Sequence, residues 1–111
     1  MTSMRLSQLH ALDDHTISTA VRETAPGVYA LDRSSQGGFS ASYVGRSDSD
    51  LRASLRQHVG SYRFFKYAYC ASAAAAFEAE CELYHEYRPA DNLVHPSHGP
   101  DGKCPQCGAT V

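Results

Sequence analysis

Alternating apolar and polar positions in the chain predict a small β-sheet. Strands are predicted where β-branched and aromatic residues concentrate, and glycine, proline and small polar residues separate these stretches. The predicted strands are residues 27–32, 39–45 and 64–70, and a loop rich in serine and glycine fills 33–38. The first two strands are close enough along the chain to form a hairpin.

Three helices are predicted from hydrophobic periodicity and from capping residues. They are a short helix through Arg22 capped by Asp14 or Thr16, a second helix through Val59 capped by Asp48 or Ser49, and a long helix over 72–88 capped by Ser72. Together, the strands and helices predict an α+β domain, with a small three-stranded sheet flanked by helices.

Glu80 lies in the middle of the apolar face of the long predicted helix. At about 100° per residue, this face gathers Ala73, Ala76, Phe77, Tyr84 and Tyr87, whereas the opposite face carries Glu78, Glu82 and Glu86. A carboxylate on an apolar face costs several kcal/mol unless it is paired, protonated or bound to a cation. We therefore expect Glu80 to have a buried partner or to line a functional site.

Size and charge limit the class of protein. With 111 residues and a formal net charge of −2, the chain is expected to form one domain and is not a globally basic nucleic-acid-binding protein. Positive charge concentrates at 46–66, in Arg46, Arg52, Arg56, Arg63 and Lys66. No apolar run is long enough to span a bilayer, and the N-terminus lacks the apolar centre of a signal peptide. We therefore expect a cytoplasmic protein without a membrane partner.

Two tripeptides on the predicted hairpin, Gly27-Val28-Tyr29 and Tyr43-Val44-Gly45, resemble the signature tripeptides of the GIY-YIG nuclease family. The order of elements agrees, because a helix with basic residues follows the second tripeptide and Glu80 lies nine residues before Pro89. The resemblance covers residues 25–93, leaving 1–24 as an N-terminal extension and 94–111 as a tail. It implies a GIY-YIG-like fold.

The resemblance also implies an activity, the endonuclease-type hydrolysis of phosphodiester bonds, in DNA rather than RNA, with one divalent metal ion. By resemblance, Glu80 binds Mg²⁺ or Mn²⁺, and Mg²⁺ indeed needs only one or two protein carboxylates. Tyr29 is then the general base or proton relay, and a phenol of pKa about 10 needs nearby cations to act as a base. Tyr43, Arg46 and His58 complete the implied site, with Arg46 at the phosphate and His58 in contact with either the phosphate or Tyr29.

Ser54 departs from the family pattern. It stands where the resemblance places a catalytic arginine, which stabilises the charged phosphate in a way that serine cannot. Arg52 and Arg56 cannot simply replace that arginine, because they lie on the other edge of the predicted helix from Ser54 and His58, whereas Arg63 in the next loop could reach the site. All three arginines are kept as possible phosphate ligands. The alternatives to an active nuclease are a catalytically weakened or inactive nucleic-acid-binding module, and an interaction domain without a nucleic-acid role.

The tail contains half of a zinc site, because the two-residue spacer between Cys104 and Cys107 lets both sulfurs meet one tetrahedral ion. The other ligands must come from upstream, and the candidates are His85, His95 and His98. The pairs Tyr84-His85 and His95-Pro96, with this zinc knuckle, resemble a subgroup of the same family. That resemblance favours His95 and His85, with His98 as the alternative ligand. Zinc with four protein ligands is structural.

Overall fold

The computed structural model of the chain describes residues 6–33 and 41–87. In chain order these residues form β1 (His10–Ala11), α1 (Asp14–Ala20), β2 (Gly27–Asp32), β3 (Tyr43–Ser47), α2 (Leu51–Arg56), β4 (Phe64–Tyr69) and α3 (Ala73–Tyr87). The α+β class is confirmed. The predicted strand number is wrong, because the sheet has a fourth, two-residue strand, β1.

The sheet is antiparallel, with its strands in the order β1-β4-β2-β3. Strand β2 lies between β3 and β4, and all six of its residues are buried. Its Tyr29 pairs with Gly45 of β3 and with Tyr67 of β4. Because directly opposed residues share a face of the sheet, these three residues lie on one face, and their chain neighbours Val28 and Arg46 lie on the other.

Each face of the sheet has its own apolar core. Helices α1 and α2 cover the face of Tyr29, and α3 packs on the other face against β2 and β3. The first core contains Leu12, Ile17, Val21, Tyr29, Leu31, Leu51, Leu55 and Phe65, and the second contains Val28, Ala30, Ala41, Val44, Ala76, Ala79 and Leu83. Among the described helices, none has both the length and the apolar character that a membrane span requires.

The predicted caps of α1 and α2 are wrong, and the predicted cap of α3 is right. Asp13 caps α1 by accepting a hydrogen bond from the Thr16 amide at 2.7 Å. Asp50 caps α2 by accepting one from the Ala53 amide at 3.3 Å, and this helix ends at Arg56, before the predicted Val59. The predicted cap of α3 is confirmed, because Ser72 Oγ accepts a hydrogen bond from the Ala75 amide at 3.1 Å.

Gly27 lets helix α2 pack tightly onto the sheet. A Cβ at this position would lie 2.5 Å from the carbonyl oxygen of Ala68 and 2.8 Å from Cδ2 of Leu51. The carbonyl belongs to the backbone of the paired strand, so it cannot rotate away as a side chain would. Any larger residue must therefore push β4 or α2 out of place.

We predict that Gly27→Ala lowers the free energy of unfolding by about 1–3 kcal/mol, the usual cost of an overpacked core. Urea denaturation followed by circular dichroism measures this change. Ser61→Ala, at an exposed position, is the control and should stay within about 0.5 kcal/mol of wild type. A Gly27→Ala protein as stable as the control would contradict the packing described above.

Candidate functional site

Glu80 is buried on α3 and forms an ion pair with Arg46 of β3. Arg46 Nη1 donates to Glu80 Oε1 at 2.7 Å, and the two side chains are only 13% and 11% exposed. Arg46 Nε also donates to the exposed Asp48 at 2.9 Å, and the guanidinium carbon lies 5.3 Å from the centre of the Phe77 ring. The expectation that Glu80 needs a buried partner is therefore met by Arg46.

The pair keeps both groups charged inside the protein. Burial acts to lower the pKa of Arg46, but its hydrogen bonds to Glu80 and Asp48 outweigh this and raise that pKa above its ordinary value. Removing one member of a buried pair leaves an uncompensated charge, which typically costs about 3–5 kcal/mol. Glu80 and Arg46 therefore depend on each other unless another ion takes the place of one of them.

Tyr29 reaches across β3 on the opposite face of the sheet. A Cβ at Gly45 would lie 2.6 Å from the Tyr29 hydroxyl oxygen and 2.7 Å from Cζ, so the ring of Tyr29 rests directly on this glycine. The hydroxyl oxygen lies 3.1 Å from Nε2 of His58, in the turn that follows α2. Gly45 therefore allows the Tyr29 phenol to reach the His58 imidazole.

An aromatic cluster surrounds this phenol–imidazole pair. The ring of Tyr43 lies 6.4 Å from that of Tyr29 and 5.2 Å from that of His58, between ring centres. Tyr62 completes the cluster, at 6.1 Å from both Tyr43 and His58. The sequence analysis did not find Tyr62, because it lies in a turn and short bridge with no periodic pattern to mark it.

The protonation of the cluster follows from its burial. Burial raises the pKa of Tyr29 well above the ordinary range of a phenol, and the nearby Tyr43, Glu80 and Tyr62 raise it further. The pKa of Tyr43 is also raised, first by burial and then by Glu80. Burial lowers the pKa of His58. At neutral pH the site therefore combines neutral phenols with a neutral imidazole, which can accept a proton.

These groups lie on the two faces of β3. The negative charge of Glu80 acts on both Tyr29 and Tyr43, although Glu80 lies on the α3 side of the sheet. Arg46 and Glu80 are in contact on the α3 face of the sheet, and Tyr29, Tyr43 and His58 are in contact on the other face. We call Tyr29, Tyr43, Arg46, His58 and Glu80 the β3 site. They are the residues that the sequence analysis assigned to catalysis, and the structure places them in these two groups on opposite faces of β3.

The possible phosphate ligands lie elsewhere. Arg56 donates to the hydroxyl of Ser18 in α1 at 2.9 Å, and Arg52 lies 3.5 Å from the hydroxyl of Thr24 in the segment after α1. Arg63 is exposed. Its carbonyl accepts a hydrogen bond from the Leu12 amide, and its amide donates one to the carbonyl of Asp32 at the end of β2. In the described residues none of the three has a hydrogen bond or an ion pair with the β3 site, and Arg46 is the arginine that the structure joins to it.

The apolar face of α3 differs in part from the predicted one. Ala73 is exposed, and Tyr84 and Tyr87 are half-buried. The buried residues are Ala76, Phe77, Ala79, Glu80, Cys81 and Leu83. Glu80 nevertheless stays at the centre of the buried face, with the predicted solvent-facing residues Glu78 and Glu86 exposed.

Glu80 supplies the carboxylate of the β3 site, so only a divalent cation that needs few protein ligands could bind there. No group of three or more histidine, cysteine, aspartate or glutamate side chains that could hold a metal occurs in the described parts of the chain. The carboxylate of Glu80 is nonetheless a suitable ligand for Mg²⁺ or Mn²⁺, because Mg²⁺ keeps several waters and takes substrate phosphate oxygens as further ligands. A cation there must compete with the Arg46 guanidinium for that carboxylate.

The predicted zinc site falls mainly outside the described residues, which exclude His95, His98, Cys104 and Cys107. His85 is described, as a half-buried residue whose ring lies 5.4 Å from that of Tyr84. The zinc site therefore stays a prediction.

Comparisons with known proteins give no match: no family model matches the chain, and neither a curated protein nor a solved structure does. The function must therefore be argued from the site itself.

We predict that His58 makes the protein less stable in mild acid. Its folded pKa lies below the unfolded value of about 6.5, so below that pH the unfolded chain binds the proton first. The contribution of neutral His58 is complete above this pH and is lost as the pH falls through the folded pKa. Urea denaturation between pH 7.5 and about 5 should therefore show a steeper loss of stability for wild type than for His58→Gln.

His10 also has a pKa lowered by burial, and both proteins keep it, so the difference between them isolates His58. Equal pH slopes, or a steeper slope in His58→Gln, would contradict the prediction.

Proposed function

We propose that the chain is a metal-dependent nuclease that hydrolyses phosphodiester bonds in DNA at the β3 site. The observation that carries this proposal is the convergence on β3 of a buried carboxylate–guanidinium pair and a buried phenol–imidazole pair. Hydrolysis of a phosphodiester needs a charged group for the phosphate and a proton acceptor for the attacking water. The β3 site contains both.

The phenol–imidazole pair supports proton transfer from Tyr29 to His58. Because its pKa is raised, Tyr29 stays protonated at pH 7 and is a poor base by itself. His58 is neutral at pH 7 and can accept a proton. The 3.1 Å separation of the Tyr29 hydroxyl oxygen and His58 Nε2 is within hydrogen-bond reach. Of the two roles that the resemblance implies for Tyr29, this arrangement favours the proton relay, with His58 as the acceptor.

The ion pair supports binding of the phosphate. Glu80 would hold Mg²⁺ or Mn²⁺, which when bound polarises the phosphate and neutralises charge that develops on its oxygens. Arg46, once its hydrogen bond to Glu80 is released, has a planar set of donors suited to phosphate oxygens. Asp48 and the Phe77 ring keep that guanidinium close to β3. Arg46 would thus take over part of the role that Ser54 cannot fill.

DNA is the substrate that the resemblance to the GIY-YIG nuclease family favours. The alternative function, a nucleic-acid-binding module that has lost cleavage, is favoured by one observation: the uncharged Ser54 stands on α2, four residues before His58, where the resemblance places an arginine. The two functions differ in whether bound nucleic acid is cut. The experiment below therefore measures binding and product separately.

We predict that the chain nicks plasmid DNA in Mg²⁺ or Mn²⁺ and that Glu80→Gln lowers the rate at least about a hundredfold, the effect of losing about 3 kcal/mol of transition-state stabilisation. Glutamine can still accept a hydrogen bond from Arg46, so the fold should survive, which a thermal melt checks. Gel assays on plasmid DNA, single-stranded DNA and RNA measure the product.

Glu78→Gln is the matched control, because Glu78 is exposed on the same helix, and it should keep the wild-type rate. Nicking that is equally fast in Glu80→Gln would reject the proposed function. Binding without product in wild type, together with cutting by a Ser54→Arg variant, would favour the inactive binding module instead.

A further inference from the structure

Helix α2 carries two arginines on the edge that faces α1, away from His58. Arg56 Nη2 donates to the hydroxyl of Ser18 at 2.9 Å, and Arg52 Nη2 lies 3.5 Å from the hydroxyl of Thr24. The two arginines are four residues apart and lie one turn from each other on the same edge of the helix. We call Ser18, Thr24, Arg52 and Arg56 the arginine seam.

The arginine seam carries positive charge that its neighbours do not cancel. Within the described residues neither Arg52 nor Arg56 forms an ion pair, and each has one hydroxyl partner for five N–H donors. Arg52 Nε is buried and has no hydrogen-bond partner. Asp14 and Glu23 flank the seam on the α1 side and are exposed, but they do not pair with either arginine.

A purely structural role explains this arrangement poorly. Long side chains that only join α1 to α2 would gain more from a carboxylate partner, since a carboxylate has the opposite charge and can accept two parallel N–H bonds from one guanidinium. A hydroxyl partner instead holds the guanidinium in place and leaves its charge and its other donors for an anion. Ser18 and Thr24 are themselves residue types that contact phosphate oxygens in protein–DNA complexes.

We infer that the arginine seam binds backbone phosphates of the same nucleic acid that enters the β3 site, an inference that rests on the proposed function. Helix α2 separates the two, and a helix with its side chains is about 10–12 Å across. At about 3.4 Å per nucleotide along one strand, this separation corresponds to about three nucleotides. The seam therefore holds the strand about three nucleotides from the phosphate at the β3 site, without reading its sequence.

Counterion release sets the expected size of the effect. Each phosphate contact on duplex DNA contributes about 0.9 to the slope of log K against log[salt]. At 0.1 M salt, losing one contact therefore weakens binding about eightfold, and losing both weakens it about sixtyfold with the slope reduced by about 1.8. The loss should be the same for unrelated sequences.

The test measures binding of the full chain to a fluorescent 20-base-pair duplex by anisotropy, in EDTA so that metal-dependent cleavage does not occur, between about 50 and 200 mM salt. Arg52→Met and Arg56→Met, singly and together, remove the charge but keep an apolar stem for packing. Lys66→Met is the control, because Lys66 lies on the α3 face of the sheet and its loss changes the net charge equally. Arg56→Lys should keep the salt slope.

Losses near eightfold and sixtyfold, with less than twofold in Lys66→Met, would support the arginine seam even if wild type proves unable to cut DNA. Unchanged binding in the double variant, with its thermal melt intact, would overturn the seam while leaving the nuclease proposal in place. Equal losses in Lys66→Met would also overturn it, because they would reflect net charge only. Absence of wild-type binding to the duplex would overturn the arginine seam, whereas the nicking assay in Mg²⁺ or Mn²⁺ decides the nuclease proposal separately.

Discussion

The ion pair between Arg46 and Glu80 is the interaction on which the rest of the site depends. It places a carboxylate at the centre of the buried face of α3, where an unpaired charge would be prohibitive. It also joins α3 to β3, the strand that carries Tyr43 and Gly45. A buried pair of this kind is weak support for stability, since an apolar replacement often serves as well. That is a physical reason to interpret Glu80 and Arg46 as functional groups.

Gly27 and Gly45 allow the contact between Tyr29 and His58 to form. Gly27 allows α2 to lie close to the sheet, and α2 leads directly into the turn that holds His58. Gly45 allows the Tyr29 ring to cross β3 and reach that imidazole. The glycines of the two tripeptides thus have packing roles that follow from distances alone. The same close packing raises the pKa of both Tyr29 and Tyr43, because it removes water from the phenols.

The sequence predicted much of this arrangement, for identifiable reasons. The three longer strands and the three helices were found because periodicity marks them, and Glu80 was found because it interrupts an apolar face. Strand β1 was missed because its two residues, His10 and Ala11, are too few to show an alternation of apolar and polar positions. The cap of α2 was misplaced because Ser47, Asp48, Ser49 and Asp50 are all suitable caps. In the structure, Ser47 Oγ accepts from the Asp50 amide and Asp50 caps the helix.

The partner of Glu80 and the pKa directions depend on the tertiary structure. Arg46 was assigned to the phosphate on resemblance, and no local pattern places its guanidinium on a residue 34 positions away. The role of Tyr29 as a base assumed nearby cations, whereas burial and the charge of Glu80 act in the opposite direction. These contacts join distant parts of the chain, so only the assembled fold reveals them.

The central claim is that Glu80 exchanges Arg46 for a divalent cation. The most direct test is a crystal structure of the chain grown in Mn²⁺, with the ion located by its anomalous scattering. We predict one peak at the Glu80 carboxylate, at a distance near the roughly 2.0–2.1 Å of Mg²⁺ coordination, with the Arg46 guanidinium moved off Oε1. A Glu80 that carries no peak and keeps its ion pair with Arg46 at saturating Mn²⁺ would contradict the account.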